Sequence, residues 1–223
     1  MRMNKGWGNR RRTALRTRPL LWLAGAALIA CVDRGVLADE PDAAAKARAR
    51  YVAIAVCGTC HGVTGNSTYP KFPRLAGQDA KYLARQLKAF RDQTRGDPDA
   101  IAYMWGMAAQ LTDEAINALA AYYAVQVPGA SSGGDRALIA RGREVYQHGV
   151  APQGVPACIS CHGPDAHGQG DYPRLAGQHA QYVLKQLGSF QSNMRNVAIM
   201  HGVALNLQDP EMAAVAAYLR AQR

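Results

Sequence analysis

Cys57-Gly-Thr-Cys60-His61-Gly62 returns a hundred residues further on as Cys158-Ile-Ser-Cys161-His162-Gly163, and nothing else in the chain restricts its architecture as much. Two thiols followed at once by an imidazole serve few chemistries, and a second copy means that whatever is built is built twice. The copying extends beyond the cysteines. Phe72-Pro-Arg-Leu-Ala-Gly-Gln78 recurs as Tyr172-Pro-Arg-Leu-Ala-Gly-Gln178, and Tyr82, Gln86, Leu87 and Phe90 recur as Tyr182, Gln186, Leu187 and Phe190. The offset falls from 101 at the cysteines to 100 here, so one residue differs in an intervening loop. Two homologous domains are expected, at residues 39–127 and 135–223. The Pro128, Gly129, Ser131, Ser132, Gly133, Gly134 stretch reads as a flexible linker over 128–134.

Four chemistries compete for the cysteines. Four thiols in an exported chain ordinarily form two disulfides, but a disulfide inside each C-x-x-C leaves the adjoining histidine unexplained twice. A structural zinc site pairs C-x-x-C units about 15 to 20 residues apart, whereas 97 residues separate Cys60 from Cys158. A thioredoxin-like redox pair needs a strand-helix-strand setting, and the surroundings are Ala-rich and helical in pattern. A histidine directly after C-x-x-C is the attachment signature of c-type haem. Cysteines three apart on a short turn present both sulfurs to one edge of a porphyrin, where each thiol adds across a vinyl group, and the histidine reaches the iron from below. The expected cofactors are two covalently bound haem c groups, on Cys57 and Cys60 with His61, and on Cys158 and Cys161 with His162.

The formal net charge of +10 invites a nucleic-acid reading, which its distribution opposes. Eight of 26 Lys/Arg and one of 16 acids lie in residues 1–38, so the remainder carries only +3. No basic stripe for a phosphate backbone survives there. Residues 1–38 instead read as an export signal: a basic run through Arg18, a 14-residue apolar run from Pro19 to Val32, and a small-residue cleavage site at Val36-Leu37-Ala38. The run is shorter than the roughly 20 residues of a membrane span, so a retained anchor is the lesser reading. Leu28-Ile29-Ala30-Cys31 also resembles a lipoprotein box that would lipidate Cys31. Arg11-Arg12 loosely resembles a twin-arginine signal, although thioether formation on an unfolded chain favours the general secretory route. The body is expected in the periplasm, with a peripheral or lipid-anchored association with the membrane as the alternative.

Tyr82, Leu83, Gln86, Leu87 and Phe90 share one helical face, as do Tyr182, Val183, Gln186, Leu187 and Phe190, and each face reads as core. A last helix closes each half. Thr112 caps the first, with Asp113 and Glu114 beside its positive end, and Asp209-Pro210 starts the second. Ile116, Leu119, Tyr123, Val215 and Leu219 are predicted to face inward. Of the five methionines after the leader, only Met104 and Met200 form an equivalent pair, at an offset of 96 that also matches Leu111 to Leu207 and Tyr122 to Tyr218. Met107 then falls opposite Val203, Met194 opposite Pro98, and Met212 in the last helix. Met104 and Met200 are therefore the expected second axial ligands. His148, His167, His179 and His201 have no partners in the first half, and surface or hydrogen-bonding roles are expected of them. Bis-histidine ligation of one haem is the alternative. The carbonyls of Pro73 and Pro173 are positioned to accept from the ring N–H of His61 and His162. Arg74 and Arg174 are read either as partners of haem propionates or as ordinary solvated arginines.

With these residues in hand, the chain resembles the dihaem cytochrome c4 family over nearly its whole length after the leader. CGTCHG and CISCHG, FPRLAGQ and YPRLAGQ, the Y-x-x-x-Q-L helices and the M-x-G loops at Met104 and Met200 carry the resemblance. It implies an all-α fold of two tandem class I cytochrome c domains about a pseudo-twofold axis, with haem propionates facing each other. Imidazole and thioether would fill both axial positions of each iron, which describes an electron carrier and not an enzyme. By resemblance it would carry electrons between redox protein partners, from a membrane quinol-oxidising complex toward a terminal oxidase. Two rivals are the cytochrome subunit of a flavin-containing sulfide dehydrogenase and a dihaem peroxidase. Mass spectrometry of protein matured in a host that attaches haem is expected to show two covalent haems per chain, and one or none would overturn the reading.

Overall fold

The computed structural model describes residues 42–130 and 133–223, so the leader, Cys31 and part of the 128–134 linker lie outside the described residues. Asp42 opens the first helix by accepting from the Ala45 N–H, one of the amides that a helix start leaves without partners. α1 (Ala43–Val52) runs through a π turn (Ala53–Cys57) into the four-residue α2 (Gly58–His61). α3 (Ala80–Arg91) is capped by Asp79. A second π turn (Ala100–Met104) leads into α4 (Trp105–Ala108), and α5 (Asp113–Ala124) starts at Thr112, whose hydroxyl accepts from the Ala115 N–H.

The second half repeats the order as α6 (Arg136–His148), α7 (Ile159–His162), α8 (Ala180–Gln191), α9 (Ala198–Ala204) and α10 (Asp209–Ala221). Asp209 is the first helical residue of α10, with Pro210 in its first turn, where a missing N–H costs nothing. Among the described residues there is no strand, only two isolated bridges, Val150 with Val155 and Gln169 with Tyr172. No described helix is long and apolar enough to cross a membrane.

Each half is organised around its last helix. α1 and α3 pack on α5, and α6 and α8 pack on α10. Ile116, Leu119, Tyr123, Val215 and Leu219 are all buried, as their spacing predicts. The first core gathers Leu83, Leu119 and Tyr123, with Phe90, Ala100 and Ala108 beside it; the second gathers Tyr146, Val183, Met212, Val215, Tyr218 and Leu219. Full burial of one such aliphatic or aromatic side chain contributes about 1.5–3 kcal/mol, so each half has its own driving force for folding.

Two expectations need revision. The helical face that reads as core is split: Leu83 and Phe90 point inward, whereas Tyr82 and Gln86, with Tyr182 and Gln186, bond across to the other half. The repeat also shifts register later than the sequence suggests. Arg95 stacks over Phe90 at 4.7 Å and Arg195 over Phe190 at 4.6 Å, so the offset of 100 persists to these arginines. Met194 therefore stands opposite Thr94, not Pro98. The four extra residues of the first half fall between Arg95 and Met104, in the loop after Arg95 and the π turn that follows it.

α6 and α10 cross at Gly142, where an added Cβ would lie 2.0 Å from the Ala214 carbonyl oxygen and 2.7 Å from Tyr218 Cβ. The crossing tolerates no side chain. Gly142→Ala is expected to lower stability by about 1–3 kcal/mol or more, read as a lower thermal unfolding midpoint. Gly188→Ala, within α8 and with open space around its Cβ, is expected to raise stability by about 0.5–1 kcal/mol.

Candidate functional site

The short helices α2 and α7 place each Cys-x-x-Cys-His on a single turn: Cys57 ends the π turn, Cys158 precedes α7, and Cys60, His61, Cys161 and His162 lie within the helices. Among the described residues, Cys57, Cys60, Cys158 and Cys161 form no disulfide. Burial pushes the thiol of Cys57 up, and that of Cys158 to about 11. Raised, partly buried thiols of this kind differ from the low-pKa, accessible thiol of a redox dithiol. Among the described residues no three His, Cys, Asp or Glu side chains converge to hold a metal ion.

His61 and His162 are buried, and each Nδ1–H donates to a proline carbonyl, Pro73 O at 2.9 Å and Pro173 O at 3.0 Å. A carbonyl only accepts, so Nδ1 carries the proton and Nε2 keeps its lone pair. Burial holds both imidazoles below their usual pKa, in the neutral form a metal ligand needs. Two thiols that form no disulfide, a committed Nδ1 and a bare Nε2 on one turn fit a thioether-linked haem.

Met104 closes the second π turn and packs with Phe90, Ala100 and Ala108, and Met200 lies within α9. Met107 and Met194 are exposed, and Met212 is buried in the second core. In the first half an aromatic chain ties the histidine side of the site to the methionine segment: the rings of His61 and Phe72 are 6.2 Å apart, and those of Phe72 and Tyr103 5.8 Å. In the second half the His162 and Tyr172 rings are 6.0 Å apart, and Ile199 stands where Tyr103 does. Three other histidines bond within the second half: His148 lies near Glu144, His201 Nδ1–H donates to Phe190 O, and His167 to Arg223 O.

The repeated P-R-L-A-G-Q loop gives almost every residue a task. The proline carbonyl holds the histidine. The N–H groups of Leu75 and Ala76 donate to Gly65 O, and those of Leu175 and Ala176 to Ala166 O, fixing the loop to the segment after each haem turn. Gly77 and Gly177, at φ +67° and +72°, donate to Tyr123 O and Leu219 O at the end of the last helix. The backbone there is left-handed, and a Cβ on Gly77 would strike Pro128 at 2.5 Å.

The glutamine then leaves its own half. Gln78 accepts from the Arg174 N–H at 2.9 Å and donates to Arg174 O at 2.8 Å; Gln178 does the same to Arg74, at 2.9 and 2.9 Å. Arg74 is correspondingly no solvated arginine. Its backbone is clasped by Gln178, and its Nη1 donates to Gly177 O and Ala130 O. Burial pushes the guanidinium of Arg74, and that of Arg174, down in pKa.

Sequence reading missed a second pair, Arg95 and Arg195. Both are buried, at 7% and 5% exposure. Arg95 donates to Gln86 and to Gln186 across the seam, at 2.8 and 2.7 Å; Arg195 donates to Gln186 and to Gln86 and Tyr82 across it, at 2.7, 2.9 and 2.7 Å. The signal was available as an arginine nine residues after each repeated glutamine. Among the described residues only Arg95 has a carboxylate, Asp97 at 2.7 Å; Val197 occupies the matching position in the second half. Burial would raise the Asp97 pKa, but Arg95, Gln186 and Arg195 more than offset it and hold the carboxyl low. His179, at the position of Asp79, donates from Nε2 to Ser67 O at 2.9 Å, another bond between halves.

Comparison with known proteins agrees with this geometry. The cytochrome c family model matches twice, at residues 44–124 and 139–223. The chain is 42% identical over 177 residues to cytochrome c-552 of Acidithiobacillus ferridurans, covering 78% of this chain and 77% of that one. It is 39% identical over 189 residues to cytochrome c4 of Azotobacter vinelandii, covering 80% and 90%. It is 36% identical over 203 residues to a protein of Stutzerimonas stutzeri named thiosulfate dehydrogenase electron acceptor, covering 88% and 92%. Reduced recombinant cytochrome c4 from Pseudomonas stutzeri matches in structure with a TM-score of 0.72 and 36% identity, over 82% of this chain and 100% of that one. Two cytochrome c domains, each with its Cys-x-x-Cys-His turn, define a dihaem c-type cytochrome with two covalently bound haem c groups, an electron-transfer protein and not an enzyme. The chain belongs to the dihaem cytochrome c4 family.

The seam carries a pH-sensitive group, the imidazole of His179. Burial lowers the His179 pKa, and the nearby cations Arg74 and Arg220 lower it further, against the Ser67 carbonyl that favours the charged form. A histidine whose folded pKa lies below its unfolded value binds more protons when unfolded. Its stabilisation is therefore complete above the ordinary value of 6.5 and is lost as pH falls from there toward the folded pKa. Thermal unfolding of the wild type is expected to fall more steeply below pH 6.5 than that of His179→Gln, whose amide donates to Ser67 O without titrating.

Proposed function

We propose that this protein is a periplasmic respiratory electron carrier, taking electrons from a quinol-oxidising membrane complex and delivering them toward a terminal oxidase. The observation that carries it is the matched pair of sites, each with a histidine whose Nδ1–H is locked to a carbonyl and an equivalent methionine further along. In this reading His61 with Met104, and His162 with Met200, are the axial ligands, and Cys57, Cys60, Cys158 and Cys161 form the thioethers. The haem supplies a one-electron ferrous–ferric couple, to which a thioether ligand gives a relatively high potential.

The surrounding residues hold that couple rigid. Pro73 and Pro173 fix the imidazole tautomer and orientation, and the methionines, half-buried themselves, stand on short, largely exposed turns. The export signal in residues 1–38 supports the periplasmic assignment, with lipid anchoring at Cys31 as its alternative. A second reading, supported by the thiosulfate dehydrogenase electron acceptor among the relatives, is acceptance of electrons from a sulfur-compound dehydrogenase. The relatives named here lend no comparable support to a flavin-containing sulfide dehydrogenase.

Mixing the oxidised protein with quinol and membranes containing a quinol-oxidising complex is expected to reduce both haems, and oxidase-containing membranes under air to reoxidise them. Reduction by a thiosulfate dehydrogenase alone would favour the second reading. Met104→Ala and Met200→Ala are each expected to abolish half of the sulfur-to-iron charge-transfer band of the oxidised protein and to lower one of its two midpoint potentials. Unchanged spectra would remove the methionine assignment.

A further inference from the structure

The bond that holds each axial histidine and the bond that joins the two halves share one peptide group. The Pro73 carbonyl accepts from His61 Nδ1–H at 2.9 Å, and the N–H of that same peptide, belonging to Arg74, donates to Gln178 Oε1 at 2.9 Å. In the other half Pro173 O accepts from His162 at 3.0 Å, and the Arg174 N–H donates to Gln78 Oε1 at 2.9 Å. Both glutamines are buried, and the two clasps repeat within 0.1 Å, so the arrangement is built twice.

A peptide whose N–H donates becomes more polarised, and its carbonyl oxygen accepts more strongly; this cooperative strengthening is on the order of 10–30% per bond. A stronger acceptor at Nδ1–H makes the imidazole more basic at Nε2. A more basic axial ligand favours the ferric state and lowers the reduction potential. We infer that Gln78 and Gln178 are positioning residues that tune the haem of the opposite half: Gln178 holds the potential of the N-terminal haem down through Pro73 and His61, and Gln78 that of the C-terminal haem through Pro173 and His162. The seam is then part of each redox centre. Opening it would raise the potential of both through this path, against the lowering expected from added water around the haems.

The inference rests on axial ligation by His61 and His162, and the test separates the two. In nitrogen-15-labelled, fully reduced holoprotein, ligation requires two Nδ1–H signals from histidines with ring protons strongly shifted by haem ring current. Their absence in the wild type removes the ligation itself. With them present, Gln178→Leu is expected to move the His61 Nδ1–H signal upfield, leave His162 in place, and raise the midpoint potential of the N-terminal haem alone. Gln78→Leu is expected to give the mirror result.

Should Gln178→Leu fail to fold, Gln178→Glu keeps the acceptor for the Arg74 N–H and gives it charge. It is expected to move the His61 signal downfield, the opposite sense, with His162 unmoved. Signals that do not change, that change in the mutated half, or that shift equally in both halves with falling potentials would overturn the inference, the last by pointing to a loosened seam.

Discussion

The peptide group between Pro73 and Arg74, with its counterpart between Pro173 and Arg174, is the point at which three constraints meet. Its carbonyl fixes a buried imidazole, its amide receives the other half, and the loop it opens is bonded to both the haem turn and the last helix. None of these can be altered alone. A peptide flip would strip the histidine of its acceptor and leave a buried amide without a partner, at a cost of about 1–3 kcal/mol for each unmet group. The P-R-L-A-G-Q sequence is the set of residues that lets one short loop meet all of those demands.

The seam between halves is built largely from buried polar bonds. Arg95 and Arg195 are each bonded to both central glutamines, and each guanidinium also stacks on a phenylalanine of its own half. Reciprocal bonds of this kind are what a two-fold arrangement produces, since every contact is made once in each direction. They fix alignment more than they add stability. Removing one member of a buried ion pair is costly, about 3–5 kcal/mol, because it strands the other charge, whereas the pair as a whole adds little over a well-packed apolar contact. Exposed pairs along the same seam, such as Arg85 with Asp171, contribute less still.

Much of the site was legible in the sequence because its chemistry is local. Cys57, Cys60 and His61 lie within one turn, Thr112 caps the helix that follows it, and Ile116, Leu119 and Tyr123 carry their burial in their spacing. The seam was not legible for the same reason. Gln78 meets a residue 96 positions away, and Tyr82 one 113 positions away, so periodicity along one helix could not tell a core face from a face turned toward a second copy. Polar residues repeated on an apolar face, Gln86 and Gln186, were the available hint. The register was misjudged past Arg95 because the insertion lies in an irregular loop and a following π turn, where no periodic pattern marks it.

The imperfect symmetry has a consequence for how such a molecule could be shortened or doubled. With Asp97 in one half and Val197 in the other, a single acid accompanies both buried guanidiniums. Two C-terminal halves brought together as a homodimer would confront a pair of enclosed cations with no counter-ion, and two N-terminal halves would supply one each. The halves are therefore not interchangeable. The first can in principle recognise itself, while the second is complete only beside its sibling.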